Sequence, residues 1–274
     1  MRLVDLRSGS SSHSLAGHHG GVLSVGWSPT REYVLASGDA NGVVRVWDVR
    51  KSAGTLGVLD LEDSIGSDSQ GGSGGTRSRF DGKAHNGAVN GLTWTDDGQY
   101  LITAGHDQRV RVWDAATGAN TLASFGPTLK NAHLFHLPLL VSPTATTPPG
   151  QNILFYPNET EILMFSMHEG RLQKRLRVPG PVAAGSRVKA AERNVRNRIT
   201  SLTWGGVVEG MYSGHSDGLI RVWAPRETFE EGEDDWDEVP ADEEDGEEQS
   251  GEKRKRKVLD DIFRDLTRTK ITFG

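Results

Sequence analysis

Val44-Arg45-Val46-Trp47-Asp48 and Val110-Arg111-Val112-Trp113-Asp114 are identical pentads, and Ile220-Arg221-Val222-Trp223 repeats their first four positions with one conservative change. Alternation of β-branched residues with arginine, closed by tryptophan, reads as a short strand. Working backwards, each pentad follows a turn rich in Gly, Asp or Asn: Gly38 to Gly42, Gly105 to Gln108 and Gly214 to Gly218. Before each turn lies a short apolar segment ending in Ser-Gly or Ala-Gly. Before that lies a second strand pattern ending in Trp: Val22 to Trp27, Ala88 to Trp94 and Ile199 to Trp204.

One repeat therefore reads strand, turn, strand, turn, Trp-containing strand, which is the content of one β-propeller blade of the WD40 type. A blade occupies roughly 40 to 45 residues. Val4 stands where Trp would in Met1 to Leu6, and it lies 43 residues before Trp47, one blade. Trp47 to Trp113 is 66 residues, one blade plus the Ser/Gly-rich stretch Ser64 to Ser78, read as a flexible surface loop. Trp113 to Trp223 is 110 residues, two blades plus an insertion. The blade hidden in that interval falls on Leu139 to Ser142, Asn152 to Tyr156 and Glu161 to Ser166, and it lacks Trp-Asp.

The expected fold is all-β: about four blades of a WD40 propeller that would have seven. Residues 1–7 give the last strand of one blade, and further blades fall at about 15–50, 84–118, 132–172 and 197–225, with a loop insertion at 60–82. Residues 227–274 form an acidic tail, a basic cluster and a short amphipathic helix. Because the sequence opens inside a strand, the expectation is a chain truncated at its N-terminus, or a ring completed by a partner. An unclosed propeller exposes strand edges and half of an inter-blade core.

Composition bounds the function. There are no cysteines, which excludes thiolate metal sites, disulfides and cysteine nucleophiles, and fits a reducing compartment. No run approaches the roughly 18 apolar residues of a membrane helix, and residues 1–12 lack a signal-peptide core. The net charge of −6 hides an asymmetry, because fifteen of the 37 acidic residues lie between Glu227 and Glu252. Residues 1–226 carry 23 basic and 19 acidic side chains, a net of +4, too weak to argue for nucleic-acid binding. The acidic stretch, with Trp236 inside it, has too few apolar residues to fold. It reads as a solubilising tail or a partner-binding segment. Lys253-Arg254-Lys255-Arg256-Lys257 reads as a nuclear localisation signal, the alternatives being an electrostatic counterweight to the acidic stretch or a nucleic-acid contact. After it, Val258, Leu259, Ile262, Phe263 and Leu266 recur at helical spacing.

In WD40 blades a His before the first strand, a Ser or Thr in the second, an Asp in the next turn and the Trp in the third form a buried hydrogen-bonded tetrad. By position the tetrads are His85, Thr103, Asp107 and Trp113, then His18, Ser37 and Trp47 with Asn41 where Asp is usual. The last is Ser213, Asp217 and Trp223 with no His. Their role is structural, since a buried carboxylate or indole N–H is costly unless paired.

Two catalytic patterns compete with this reading. Gly214-His215-Ser216-Asp217-Gly218 has the spacing of a hydrolase nucleophile elbow, but that elbow joins a strand to a helix, whereas here it joins two strands. His18-His19 beside Gly20-Gly21 resembles an oxyanion loop or a metal pair, but no carboxylate or thiolate lies at ligand spacing. No catalytic residue, metal or cofactor is expected. A third motif points outward. Trp47-Asp48-Val49-Arg50 places an arginine at the end of a third strand, and Asp5-Leu6-Arg7 repeats it one blade earlier. Arginine there is either a planar fork for a partner's carboxylates or carbonyls, or simply solvated.

Several stretches together resemble the Cockayne syndrome group A family of WD40 proteins. They are Val4 to Ser10, Leu15 to His18, Val25 to Pro29, Val46 to Lys51, Ala84-His85-Asn86-Gly87 with Val89 to Leu92, and Gly118 to Leu122; the likeness spans roughly residues 2–225. It implies a non-catalytic substrate receptor of a cullin-4 RING ubiquitin ligase in transcription-coupled nucleotide excision repair, resident in the nucleus. The implied partners are the ligase's large damaged-DNA-binding adaptor and the repair assembly at stalled RNA polymerase II. Trp47, Asp48 and Arg50 match that class's adaptor signature fully, and Asp5 and Arg7 match it with Val4 replacing Trp. The resemblance also implies N-terminal blades and a helical segment that this sequence does not contain. The alternative is a WD40 scaffold of another nuclear complex, in chromatin or RNA processing.

Overall fold

The computed structural model describes residues 1–51, 54–61, 82–148, 150–159, 161–177, 198–206 and 210–224. Two units divide the chain, Met1–Arg226 and Glu227–Gly274, and all described residues belong to the first. The Ser64 to Ser78 stretch, the acidic segment 227–252, the basic cluster 253–257 and the apolar series 258–266 lie outside them.

Among the described residues, sixteen strands make five antiparallel sheets in chain order. β1 (Arg2–Val4) pairs with β2 (Ser11–Ser14). Blade A contains β3 (Val22–Trp27), β4 (Val34–Asp39), β5 (Val44–Asp48) and β6 (Thr55–Leu59). Blade B contains β7 (Val89–Trp94), β8 (Tyr100–Gly105) and β9 (Val110–Asp114). Blade C contains β10 (Leu140–Val141), β11 (Ile153–Asn158), β12 (Glu161–Ser166) and β13 (Leu172–Arg177). Blade D contains β14 (Ile199–Gly206), β15 (Gly210–His215) and β16 (Ile220–Trp223). Within every blade each strand pairs with the next, so each is a meander built of local hairpins. The architecture is that of successive propeller blades.

The cores lie between sheets. Leu15, Leu35 and Trp47, with Met1, Leu3 and Val49, join the first two-stranded sheet to blade A. Ala36, Val44, Leu59, Val89, Leu92, Leu101 and Trp113 fill the space between blades A and B. Ile102, Val110 and Val112 of blade B meet Leu139, Leu154, Tyr156, Leu163 and Phe165 of blade C. Phe155 and Ile162 then meet Ile199 and Met211 of blade D. A middle blade is thus apolar on both faces, which explains why its strands show little hydrophobic alternation.

The turn before each third strand is left-handed at one position, five residues before the Trp: φ is +87° at Gly42, +57° at Gln108 and +83° at Gly218. Gly42 is also fixed by close approach, since a Cβ there would stand 2.0 Å from the His85 carbonyl. The Gly42 carbonyl in turn accepts the backbone N–H of Ala84 and of His85, tying the blade A turn to the loop leading into blade B.

Candidate functional site

Register identifies equivalent positions across blades. Trp47 pairs with Leu35, Trp113 with Leu101, Trp223 with Met211 and, in blade C, Phe165 with Leu154. Phe165 therefore stands where the other blades have Trp.

In blade B the indole N–H of Trp113 lies 2.9 Å from Thr103 Oγ1, which is 2.8 Å from His85 Nε2, while His85 Nδ1 is 2.9 Å from Asp107 Oδ1. The other Asp107 oxygen accepts from Arg111 at 2.8 Å. Burial holds the His85 pKa below its ordinary value and outweighs the pull of Asp107. Burial pushes Asp107 upward, but the hydrogen bond and charge of His85, with the Arg111 guanidinium, more than offset it and leave the carboxyl below the carboxylate range.

Blade A builds the same chain with one member exchanged. Trp47 Nε1 donates to Ser37 Oγ at 2.8 Å, Ser37 lies 2.6 Å from His18 Nε2, and His18 Nδ1 is 2.8 Å from an oxygen of Asp39. The carboxylate comes from Asp39, at the end of β4, so the place assigned to Asn41 by counting from Trp47 is corrected. The other Asp39 oxygen accepts the N–H groups of Asn41 and Val43, so one carboxylate orders the turn and orients the imidazole together.

Blade D is corrected in a complementary way. No His precedes its first strand, but His215, at the end of β15, puts its Nε2 2.7 Å from Ser213 Oγ, and Ser213 accepts Trp223 Nε1 at 2.8 Å. Asp217 pairs with Arg221 at 2.9 Å, as Asp107 does with Arg111. Asp39 and His215 occupy one register position, opposite the first residue of the first strand, and Gly105 holds it in blade B. In blade C, Tyr156 takes the Ser/Thr position and donates to the Lys130 carbonyl at 3.0 Å; Asn158, at the strand end, accepts the Lys130 N–H at 2.7 Å. The Phe165 ring meets Phe125 edge-on at 5.4 Å between centroids.

Hydroxyl on Nε2 and carboxylate on Nδ1 is the arrangement of a hydrolytic Ser-His-Asp triad. Here the constellation has a fourth member and no access from solvent. Ser37 and Thr103 are fully buried, and each hydroxyl accepts an indole N–H. In the Gly214 to Gly218 pentad, the turn leads into β16, and Ser216 Oγ accepts the Arg198 N–H at 3.0 Å. His215 serves Ser213 instead. His18 has both ring nitrogens engaged within its blade, so it is not offered to a metal alongside His19.

Arg50 sits at the end of β5 opposite to the tetrad turns. Its Nε and Nη2 meet the two oxygens of Asp48 at 2.9 and 2.7 Å, and its backbone N–H is 3.0 Å from Asp48 Oδ1. The guanidinium also lies over the Tyr33 ring, 4.6 Å from its centroid. The hydrogen bonds and charge of Arg50 draw the Asp48 pKa down to about 2. The Arg50 side chain remains 61% exposed. The edge that would grip a foreign carboxylate is thus already used by Asp48. What Arg50 offers outward is a pre-oriented, largely exposed cationic plate. At β1 the same local turn recurs, with the Arg7 N–H 2.9 Å from Asp5 Oδ1, and the neighbouring Leu6 is 95% exposed. Sequence reasoning missed Asp39, His215, Asn158 and the Arg111 and Arg221 pairings. The Gly-Asp and Gly-His dipeptides at 38–39 and 214–215 were the available signal.

Comparison with known proteins agrees with this architecture. The pattern of the WD domain, G-beta repeat, matches residues 9–48 and 77–114. The WD repeat-containing protein ATCSA-1 of Arabidopsis thaliana is 28% identical over 84% of this chain, and the chain spans 58% of that relative. The DDB1- and CUL4-associated factor 13 of Dictyostelium discoideum is 28% identical over 36% of this chain and 17% of its own length. Among solved structures, a chain of the mitotic checkpoint complex superposes with a TM-score of 0.54 at 21% identity, covering 82% of this chain and 54% of that one. With the repeated Trp-centred networks and the meander sheets that carry them, the chain carries WD40 repeats in an all-β fold of propeller type.

Proposed function

We propose that the protein is a non-catalytic substrate receptor of a cullin-4 RING ubiquitin ligase, acting in transcription-coupled nucleotide excision repair in the nucleus. The observation that carries this reading is Arg50, an exposed arginine locked by Asp48 and Tyr33 at the end of a Trp-Asp strand. A fixed plate of this kind loses little side-chain freedom on docking, which favours its use against a large adaptor. Similarity to ATCSA-1 and to a DDB1- and CUL4-associated factor supports the same assignment. Asp5 and Arg7 are the second contact in this reading, and Lys253 to Lys257 the nuclear address. The receptor performs no bond chemistry. It raises the effective concentration of a substrate's lysines near a charged ubiquitin-conjugating enzyme.

The test is co-purification of the damaged-DNA-binding adaptor with full-length protein and with Arg50→Ala. A drop of about tenfold or more in captured adaptor is expected for loss of a buried charge-assisted contact, with the fold unchanged by circular dichroism. Undiminished capture would instead favour a scaffold of a chromatin or RNA-processing complex.

A further inference from the structure

The loop between blades B and C exposes apolar side chains that its own anchors prevent from turning inward. Residues 132–136, Ala-His-Leu-Phe-His, are exposed one after another, while Asn131 before them and Pro138 and Leu139 after them are buried. Leu134 is 61% exposed and Phe135 67%. The loop is pinned by Asn90, a fully buried bulge residue of β7. Its amide nitrogen lies 2.9 Å from Asn131 Oδ1, 2.9 Å from the His133 carbonyl and 2.8 Å from the Phe135 carbonyl, while its Oδ1 accepts from Asn131 at 2.7 Å. Asn131 also donates to the Gly105 carbonyl, and the His106 ring holds the His133 carbonyl from outside at 2.9 Å. An irregular segment gripped at alternate carbonyls by a buried amide keeps one shape. Two large apolar side chains held into water by such a frame mark a contact surface.

The charges around the loop state what it would contact. The Arg198 guanidinium lies over Phe135, 4.4 Å from the ring centroid, and Lys130 is 62% exposed beside the same cavity. His133 and His136 line it as well, and the acid there, Glu159, lies 3.7 Å from Lys130. No carboxylate occurs within 130–137. The geometry points to a docking site for an acidic peptide segment: an apolar or aromatic side chain packs on Leu134 and Phe135, and flanking carboxylates meet Arg198 and Lys130. Arg198, already stacked on Phe135, holds a cation beside the place where a carboxylate flanking a docked side chain would lie. The site lies at the end of the blades bearing the His85 and Asp107 turns, whereas Arg50 lies at the other end of its strand. Adaptor and peptide could therefore be held together, and the site does not depend on the ligase assignment.

The experiment is fluorescence anisotropy on the full chain with a labelled peptide carrying one Phe flanked on each side by two Glu. The same peptide with Lys for Glu, and a single-stranded oligothymidylate, serve as comparisons. Saturable binding of the acidic peptide is expected, weakened at least about tenfold by Phe135→Ser and by Arg198→Glu, and unchanged by Leu6→Ser at a distant exposed apolar position. Leu134→Ser supplies a second variant at an exposed position should either of these alter the circular dichroism spectrum. Absence of saturable binding, binding indifferent to the loop variants, or tighter binding of the lysine peptide or the oligonucleotide would overturn the proposal. Adaptor capture through Arg50 is read separately, so either idea can fail without the other.

Discussion

Blades B and D contain nearly the same strand and the same indole-to-hydroxyl hydrogen bond, yet they differ in what surrounds it. Val110 and Val112 of β9 are 4% and 0% exposed, whereas Ile220 and Val222, at the equivalent positions of β16, are 74% and 58% exposed. The Trp113 network is covered by blade C on the far side of its sheet, and among the described residues blade D has no sheet beyond it. The pentad thus records two separable things. Its tryptophan and the residues bonded to it organise a blade from within. Its alternating valines record the adjoining blade, and they are buried only where that blade stands.

The widest separation between the two blades is expected from removing the tryptophan itself. Trp113→Ala should lower stability by about 4 kcal/mol, since it empties a fully buried site and removes the indole donor from Thr103. Trp223→Ala, at a partly exposed site, should cost roughly half as much. Urea denaturation followed by far-ultraviolet circular dichroism measures both, and equal costs would mean that blade D is as well supported as blade B. A finer contrast comes from the valines. Val112→Thr buries a hydroxyl and should cost about 2 kcal/mol, while Val222→Thr should stay within about 0.5 kcal/mol of the parent.

Acid should act on blades A and B through their histidines. Because burial lowers the folded-state pKa of His18 and His85 below the ordinary imidazole value of 6.5, the unfolded chain takes up protons first as pH falls. Their contribution is fully present above about 6.5 and is lost progressively below it. Tm should fall by a few degrees between pH 7 and pH 5.5, and His85→Gln should flatten that slope while lowering Tm throughout. The smallest effect is expected at Gln108, a non-glycine at φ +57° where blades A and D have glycine. Gln108→Gly should stabilise by about 0.5 kcal/mol, read as a small rise in Tm.

The repeats were legible because tryptophan is large and rare and its spacing matches the blade period, so even blade C was marked by the length of the interval that hides it. Its internal contacts were not legible. Phe165 and Tyr156 replace Trp and Ser/Thr by an apolar pair and a long-range hydroxyl contact, and only strand register shows that they share those positions. Counting from Trp47 led to Asn41, because counting follows the backbone. A side chain from Asp39 reaches the same imidazole nitrogen from two residues earlier. His215 escaped for the same reason. The loop at 132–136 had no motif at all, since its shape depends on Asn90, about forty residues earlier, and a buried amide leaves no periodic trace.

The capped hydroxyls carry a consequence for reactivity. Blades A and B each hold a serine or threonine, a histidine and an aspartate at distances that a geometric search for acyl-transfer enzymes would accept. Fluorophosphonate reagents, which report on such groups by being attacked, should nevertheless leave Ser37 and Thr103 unlabelled in the native protein. Both hydroxyls are fully buried and already bonded to an imidazole and an indole, so the packing around the tryptophan for which the repeat is recognised is also what keeps reagents away from each constellation.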